Sequence, residues 1–183
     1  MIDTARPILF KPEMVKAILE GAKSQTRRTN GLRQINESPD AWEFEGRIIQ
    51  SANKTDTGKY SFLRKDADDY LYLKCPYGAV GDKLWAKEIW AKGVALMGGE
   101  TICRLVLEIA DVRVERAQDI SEDDARAEGV AVPWSAALAA TQSSDSAPCV
   151  AFKTLWNSIH SKDGLDWEAN PCVWVISFKR LEP

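Results

Sequence analysis

The alternation of apolar and polar positions predicts a chain of short strands with a few amphipathic helices between them. Residues 7–10 favour a strand, and residues 12–20 carry apolar side chains three and four positions apart, as in a helix that ends at Gly21. Residues 151–160 repeat this helical spacing. Residues 172–181 begin as a run that is apolar on both faces, which is typical of a central strand.

The longest strand pattern, residues 101–118, changes phase in its middle. Apolar residues occupy odd positions up to Ile109 and even positions from Val112 onward. The shift at Ala110 and Asp111 predicts a β-bulge, because one extra residue in a strand changes which side chains share a face. A long, bent strand of this kind suits a small β-barrel.

Residues 71–74 predict a short strand, and residues 83–90, after the turn-rich segment CPYGAVGD, predict a further one. Leu84 and Glu88 share one of its faces, so Glu88 is a carboxylate among apolar neighbours if that face is buried. Trp85 and Trp90 belong to the same segment. Each is a candidate for stacking on a base, with a place in the core as the alternative.

A short helix is predicted over residues 121–129. Ser121 is its expected N-cap, Asp124 completes a capping box, and Gly129 ends it. Glu128 therefore lies at the C-terminal end of an acidic helix. At such a position a glutamate is either solvated or directed into a site, and the pattern leaves both possibilities open.

At 183 residues the chain suits one domain, residues 1–183, and its composition, 45% hydrophobic and 28% charged, is ordinary for a globular protein. The predicted strands and helices together indicate the α+β class. The weak pattern at about 30–70 predicts an insertion that contains a hairpin. The segment TQSSDSAP, residues 141–148, predicts a flexible loop.

Charge is distributed unevenly along the chain, although the net charge is only −3. Residues 1–34 carry seven Lys and Arg against three acids, whereas residues 115–130 carry six acids and two arginines. A local basic patch on an acidic protein favours a small anionic or nucleotide ligand over long duplex DNA.

Cysteine and histidine usage argues against a metal site. The four cysteines are scattered without a Cys-x-x-Cys pair, and His160 is the single histidine, so we expect neither metal nor cofactor. Unpaired cysteines suit a reducing cytoplasm. Neither a leader-like segment nor an apolar run of about 20 residues is visible, so we expect a cytoplasmic protein without a membrane partner.

The candidate chemistry is concentrated in the stretch GAKSQTRRTNG, which follows the first predicted helix. A turn followed by a strand would bring Lys23, Thr26 and Arg28 together, and Arg27 adds a further cation. A desolvated lysine can activate a threonine as a nucleophile, and an arginine can bind a carbonyl, a phosphate or a base edge. The alternative is that these cations are solvated and favoured by the helix C-terminus.

The order of these elements resembles the ASCH-domain proteins of the PUA-like superfamily, in particular their phage and prophage branch. The resemblance covers most of the chain except about 30–70 and 131–147. The matching stretches are RPILFKPEMVKAILEGAKSQTRR, CPYGAVGDKLWAKEIW, LEIADVRVERAQDISEDDARAEGV and FKTLWNSI…WEANPCVWVISFKR.

The resemblance implies a β-barrel of about five or six strands with flanking helices around a cleft that binds RNA or a modified base. A related bacterial member is an N(4)-acetylcytidine amidohydrolase with a Lys-x-x-Thr-x-Arg stretch and a later glutamate. The implied roles here are Thr26 as nucleophile, Lys23 as its base and Glu128 as orienting or proton-carrying group. Arg28 matches the motif arginine. The candidate substrate-binding residues are Arg27, Arg28, Glu88, Trp85 and Trp90.

Two other functions remain open. The same cations would serve a non-catalytic RNA-binding module, in which Thr26 only donates a hydrogen bond. Some ASCH relatives cleave RNA, so a metal-independent ribonuclease is the third possibility. The insertion at about 30–70 is a departure from the compact hydrolases, and it bears on which substrate the cleft admits.

Overall fold

The computed structural model describes residues 5–49, 57–67, 69–88 and 105–181, with only the backbone at positions 87 and 88. The strands are β1 (Arg6–Phe10), β2 (Gln25–Arg28), β3 (Trp42–Arg47), β4 (Tyr60–Arg64), β5 (Asp69–Leu73), β6 (Lys83–Glu88), β7 (Val106–Arg116) and β8 (Cys172–Leu181). The α-helices are α1 (Pro12–Leu19), α2 (Arg33–Asn36), α3 (Glu122–Ala127), α4 (Trp134–Ala140) and α5 (Ala147–His160). Single 3₁₀ turns are formed by Pro39–Ala41, Ala117–Asp119 and Ser161–Asp163.

Five strands form the main sheet in the order β1-β6-β7-β8-β2. The β1–β6 pair is parallel and the other pairs are antiparallel, so the α+β prediction is confirmed. The register between β7 and β8 shifts between Ile109 and Asp111, which confirms the predicted bulge. The closing strand β8 lies inside the sheet, and Val173, Trp174 and Val175 are fully buried there, as its apolar pattern predicted.

The predicted barrel is present in approximate form, as a five-stranded sheet that stays open along one line. β1 and β2 are the two edges, and in the part of the chain that is described no ladder joins them. A side chain spans the gap instead, since Arg28 Nη2 donates to Leu9 O at 2.7 Å. The open line between β1 and β2 leaves room for a cavity.

The insertion at about 30–70 forms a second antiparallel sheet, in the order β3-β4-β5. The predicted hairpin is β3 with β4, and the strand predicted at 71–74 is β5, which adds to the hairpin as a third strand. Tyr60 joins the two sheets, because its ring lies 4.8 Å from that of Trp174 and its hydroxyl donates to Val112 O at 3.2 Å. A hydrophobic cluster is continuous across both sheets. One domain over the whole chain stays a prediction.

Helices α3 and α5 cover the other face of β8. Phe152 and Trp156 of α5 pack there against Val173 and Val175 in a second hydrophobic cluster. The helix predicted at 151–160 begins earlier, at Ala147, because a proline is tolerated in the first turn. Residues 141–146 connect α4 to α5, and their flexibility stays a prediction. Within the described residues, no helix has both the length and the apolar composition of a membrane span.

Candidate functional site

The turn between α1 and β2 fixes Lys23 against the end of α3. α1 ends at Leu19, Gly21 just beyond it has a φ of 75°, and the N–H groups of Ala22 and Lys23 both donate to Ala17 O. Lys23 then forms an isolated β-bridge with Glu128, the C-cap residue of α3. Two residues 105 positions apart in the chain are therefore in direct contact.

Gly129 permits this close approach of the two segments. It has a φ of 72°, and a Cβ built on it would lie 2.6 Å from the Cβ of Lys23 and 3.1 Å from that of Ala17. Only glycine combines the left-handed backbone with the absence of a side chain. The residue predicted to end α3 thus also determines how closely Lys23 and Glu128 pack.

The Lys23 ammonium is enclosed by three acceptors. Nζ donates to Gln25 O at 2.8 Å, to Glu128 O at 2.7 Å and to Glu128 Oε2 at 2.8 Å, and the residue is only 4% exposed. Burial lowers the pKa of Lys23, and the Glu128 carboxylate offsets part of that effect. Three acceptors match the three N–H groups of an ammonium, so the resting residue is charged.

Both oxygens of the Glu128 carboxylate are held by cations. Lys23 binds Oε2, and Arg27 Nη1 donates to Oε1 at 3.2 Å. The Glu128 side chain is 5% exposed. A buried carboxylate is costly without such partners, so these two cations offset the cost of burying Glu128 and fix its orientation.

Arg27 is saturated by protein acceptors. Its Nη1 donates to Gln25 Oε1 at 2.7 Å and to Glu128, while its Nη2 donates to Glu115 Oε2 at 2.9 Å and Asp124 Oδ2 at 3.1 Å. The side chain is 1% exposed, and only Nε lacks an acceptor. Four of the five N–H groups are therefore engaged, which leaves little capacity for a substrate.

The network continues outward to the protein surface. Arg113 contacts Glu115 and donates to Asp124 Oδ2 at 2.8 Å. Partial burial raises the pKa of Asp124, but the hydrogen bond from Gln25 and the charges of Arg27 and Arg113 outweigh it and hold that pKa below its ordinary value. Opposite charges thus alternate from Arg113 inward to Lys23.

Arg28 has a different environment from its neighbour. Its Nη2 donates to Leu9 O, its Nε is buried without an acceptor, and its guanidinium lies 5.2 Å from the centre of the Phe10 ring. Among the described residues no carboxylate is within ion-pair distance of Arg28. Burial lowers its pKa, although an arginine remains charged at neutral pH. Arg28 is thus a cation with free donor capacity.

Thr26 lies in β2 between these two environments. Its backbone pairs with Ile176 of β8, and the residue is 4% exposed. Within the described residues its hydroxyl has no hydrogen-bond partner. The Lys23 ammonium is bonded to the carbonyl of Gln25, the residue directly before Thr26.

These groups surround a cavity of about 180 Å³ at the open line of the main sheet. β1 and β2 flank the cavity, and α1 and α5 form its side walls. Its lining residues are Leu9, Phe10, Lys11, Met14, Lys23, Thr26, Arg27, Arg28, Glu128, Phe152, Leu155, Trp156, Ile159 and His160. Cations, a carboxylate and a hydroxyl therefore share a small space with an apolar wall.

The sequence pattern assigned the α5 wall of the cavity to the hydrophobic core. The spacing of Phe152, Leu155, Trp156 and Ile159 predicts a core-facing stripe, and Trp156 is indeed buried. Leu155 and Ile159 also line the cavity, and Ile159 is 43% exposed. The helical period identifies an apolar face but does not say that a cavity interrupts the packing against it.

The three other candidate binding residues belong to β6 and the segment directly after it. Trp85 is half-buried in β6 and is not a lining residue. Glu88 ends β6 with its backbone opposite Phe10, but its side chain lies outside the described part of the structure, as does the whole of Trp90. Their binding roles stay predictions.

A metal centre finds no support in the part of the chain that is described. Among those residues, no group of three or more His, Cys, Asp or Glu side chains is arranged to hold a metal ion. The carboxylates nearest the cavity are instead paired with arginine and lysine.

Comparisons with known proteins find a structural likeness but no sequence match. Neither a scan against protein-family models nor a search of curated proteins finds a match. The structure is similar to a crystal structure of an ASCH domain from Lactobacillus crispatus JV V101, with a TM-score of 0.40 and 15% sequence identity. The alignment covers 91% of this chain and 69% of that one.

Proposed function

We propose that the protein is an ASCH-type, PUA-like domain that recognises a modified nucleoside and hydrolyses an acyl amide on a cytidine-like base. The supporting observation is that the Thr26 hydroxyl, the buried Lys23–Glu128 pair and the Arg28 guanidinium line one cavity. The four sequence stretches quoted above support the family and its phage and prophage branch, and the scattered cysteines support a cytoplasmic location.

The size of the cavity limits what can enter it. Pockets that enclose a whole drug-sized ligand hold about 300–1,000 Å³. A cavity of about 180 Å³ suits an acyl group and part of a base, with the sugar and any phosphate outside. Lys11 lines the cavity from the start of α1, and it is placed to meet an anionic group of the substrate.

The first chemical step requires Lys23 as a neutral amine. A proton passes from Lys23 Nζ to Glu128 Oε2 along their 2.8 Å hydrogen bond, which leaves an amine and a carboxylic acid, and the burial that lowers the pKa of Lys23 reduces the cost of this transfer. The amine then accepts the hydroxyl proton of Thr26 while Oγ1 attacks the acyl carbon. A donor such as Arg28 Nε–H stabilises the negative charge on the acyl oxygen.

Collapse of this intermediate breaks the carbon–nitrogen bond. The proton held by Lys23 passes to the leaving nitrogen, so cytidine departs as a neutral amine and the acyl group remains as an ester on Thr26. A water molecule then attacks the ester, gives one proton to Lys23 and releases the carboxylic acid as that proton returns to Thr26 Oγ1. The sum is amide plus water giving amine plus acid, with Lys23 and Glu128 regenerated.

The test is hydrolysis of N(4)-acetylcytidine followed by its ultraviolet spectrum. Thr26→Ala is expected to abolish turnover, and Lys23→Met to lower kcat by about 10²–10⁴-fold, as for loss of a general base. Lys16→Met is the matched control, because Lys16 is an exposed lysine on α1, outside the cavity. Undiminished turnover by Thr26→Ala would remove the mechanism.

One observation favours the non-catalytic alternative, RNA binding. Arg28 keeps free donor capacity and Lys11 adds a second cation, as a phosphate or base-edge site would require. Gel shifts with single-stranded RNA across a salt series test this function. RNA binding without deacetylation would favour the non-catalytic function over hydrolysis. Shortening of the labelled RNA would indicate a ribonuclease.

A further inference from the structure

A histidine and a tryptophan stacked at the end of α5 form a second feature of the cavity, apart from its ionised groups. The rings of Trp156 and His160 lie 4.1 Å apart with their planes 32° from parallel. The indole is fixed from behind, because Trp156 is 3% exposed and its Nε1 donates to Leu165 O at 2.8 Å. His160 thus rests on a rigid support.

His160 shares the cavity with Thr26 and Arg28. Burial lowers the pKa of His160, the positive charge of Arg28 lowers it further, and Asp163 acts in the opposite direction. The imidazole is therefore neutral at pH 7, with one nitrogen that donates and one that accepts. Within the described residues neither ring nitrogen has a hydrogen-bond partner.

The cavity also has apolar lining residues outside α5. Leu9 of β1 and Met14 of α1 belong to this lining, and Leu9 is 50% exposed. A flat group that enters the cavity would meet aliphatic side chains, a thioether and an aromatic ring. Such a lining favours planar rings over flexible polar chains.

We propose that His160, supported by Trp156, is the platform on which the planar nitrogen heterocycle of the substrate stacks. This inference rests on the proposed function for its substrate, and it adds that recognition is of the base and not of the acyl group alone. His160 is thereby a specificity-determining residue that distinguishes base-linked amides from other acyl donors.

The experiment follows the imidazole signals of His160 by proton NMR during titration with cytidine. His160 is the single histidine, so its signals are unambiguous. Cytidine is the expected product and carries no acyl amide, so binding is observed without turnover. Saturable upfield shifts from the ring current of a stacked base are expected, whereas N-acetylalanine amide, which has no aromatic ring, should produce none. Binding of cytidine without a shift of the imidazole signals would overturn the proposal.

Kinetics of two substrates supply the second readout. His160→Ala should raise KM for N(4)-acetylcytidine about 5- to 150-fold, the loss expected for one base–aromatic stack, with kcat nearly unchanged. Hydrolysis of trifluoroethyl acetate, an activated ester without a ring, should change less than about twofold, by the same stacking argument. Equal losses for both substrates would show a merely structural role.

Conservative variants separate stacking from hydrogen bonding. His160→Phe should restore most of the affinity for cytidine, and failure to exceed His160→Ala would contradict stacking. Thr154→Ala, an exposed change on the same helix and outside the cavity, is the control. Imidazole shifts without deacetylation would overturn the proposed hydrolysis while keeping the base platform. Deacetylation without imidazole shifts would keep the proposed hydrolysis and overturn the base platform.

Discussion

Arg27 and Arg28 are adjacent in sequence, yet their guanidinium groups belong to two different regions of the site. Arg27 is surrounded by Gln25, Glu115, Asp124 and Glu128, which accept four of its N–H groups. Within the described part of the chain, Arg28 has one hydrogen bond, to a backbone carbonyl, and a buried Nε without an acceptor. An arginine whose N–H groups are mostly engaged by the protein shapes a site, whereas one with most of its donors free is available to a ligand.

The physical origin of the difference is the pleat of β2. Successive residues of a strand point to opposite faces, so Arg27 is directed toward Phe152 of α5 and Arg28 toward Phe10 of β1. The acidic helix α3 and β7 supply carboxylates to the first environment only. Removal of Arg27 should therefore mainly lower stability, whereas removal of Arg28 should mainly lower activity.

The largest effect is expected from Arg27→Met, measured as the free energy of unfolding in urea. This change removes one of the two cations that hold each of Glu115, Asp124 and Glu128, and breaking such a buried charge network costs about 3 to 5 kcal/mol. Arg27→Lys keeps the charge but loses the fork, so it should be intermediate in stability. A loss below about 1 kcal/mol, the level of an exposed pair, would mean that the network does not support the fold.

Arg28→Met is expected to act on activity more than on stability. Loss of one hydrogen bond costs about 1 kcal/mol or less. If Arg28 stabilises the acyl oxygen, kcat should fall about 10²- to 10³-fold, as for removal of an oxyanion donor. Both quantities are measured on one preparation. An Arg28 variant that loses stability but keeps kcat would reverse the assignment of the two arginines.

Two glycines with nearly the same backbone conformation test how the Lys23–Glu128 contact is built. Gly129 and Gly21 have φ values of 72° and 75°, but a Cβ would clash with Lys23 only at Gly129. Each alanine variant should lose about 1 to 2 kcal/mol from left-handed strain. Gly129→Ala should lose about 1 kcal/mol or more beyond that from overpacking. Equal melting curves would show that the close approach is unimportant.

The smallest effect concerns pH. The pKa of Asp124 lies below its ordinary value of 3.8, so its ionised form stabilises the fold above the unfolded pKa. That contribution is lost as pH falls through the folded value. Asp124→Asn should therefore flatten the acid limb of the unfolding free energy below about pH 4, whereas Asp123→Asn, on the same exposed turn, controls for loss of one charge. Parallel acid limbs for wild type and Asp124→Asn would exclude this contribution.

Local signals in the sequence were sufficient for the elements that carry the site. The turn and strand after α1, the bulge near Asp111, the Ser121 cap of α3 and the stop at Gly129 each follow from residues close together in the chain. The α+β class followed from the mixture of these elements. The strand at 71–74 was predicted as separate from the insertion hairpin, whereas it pairs with that hairpin as β5. The pairing between β4 and β5 depends on register and not on local pattern.

Long-range pairing could not be predicted in the same way. Arg27 was expected to bind substrate, since nothing near it in the sequence reveals that Glu115 and Asp124 come from β7 and α3. The gap between β1 and β2, and the position of His160 beside it, depend on how the whole sheet curves. The motif of Lys23, Thr26 and Arg28 could therefore be identified from the sequence. The residues that support it and the proposed base platform could not.

The central claim is that Thr26 becomes acylated with help from the Lys23–Glu128 pair. The most direct measurement is mass spectrometry of the protein quenched in acid during turnover of N(4)-acetylcytidine. The account predicts one acetyl group per chain, located on the peptide that contains Thr26, and its absence from Thr26→Ala. Rapid product formation with no acetylated Thr26, or with the acetyl group on Lys23 instead, would contradict it.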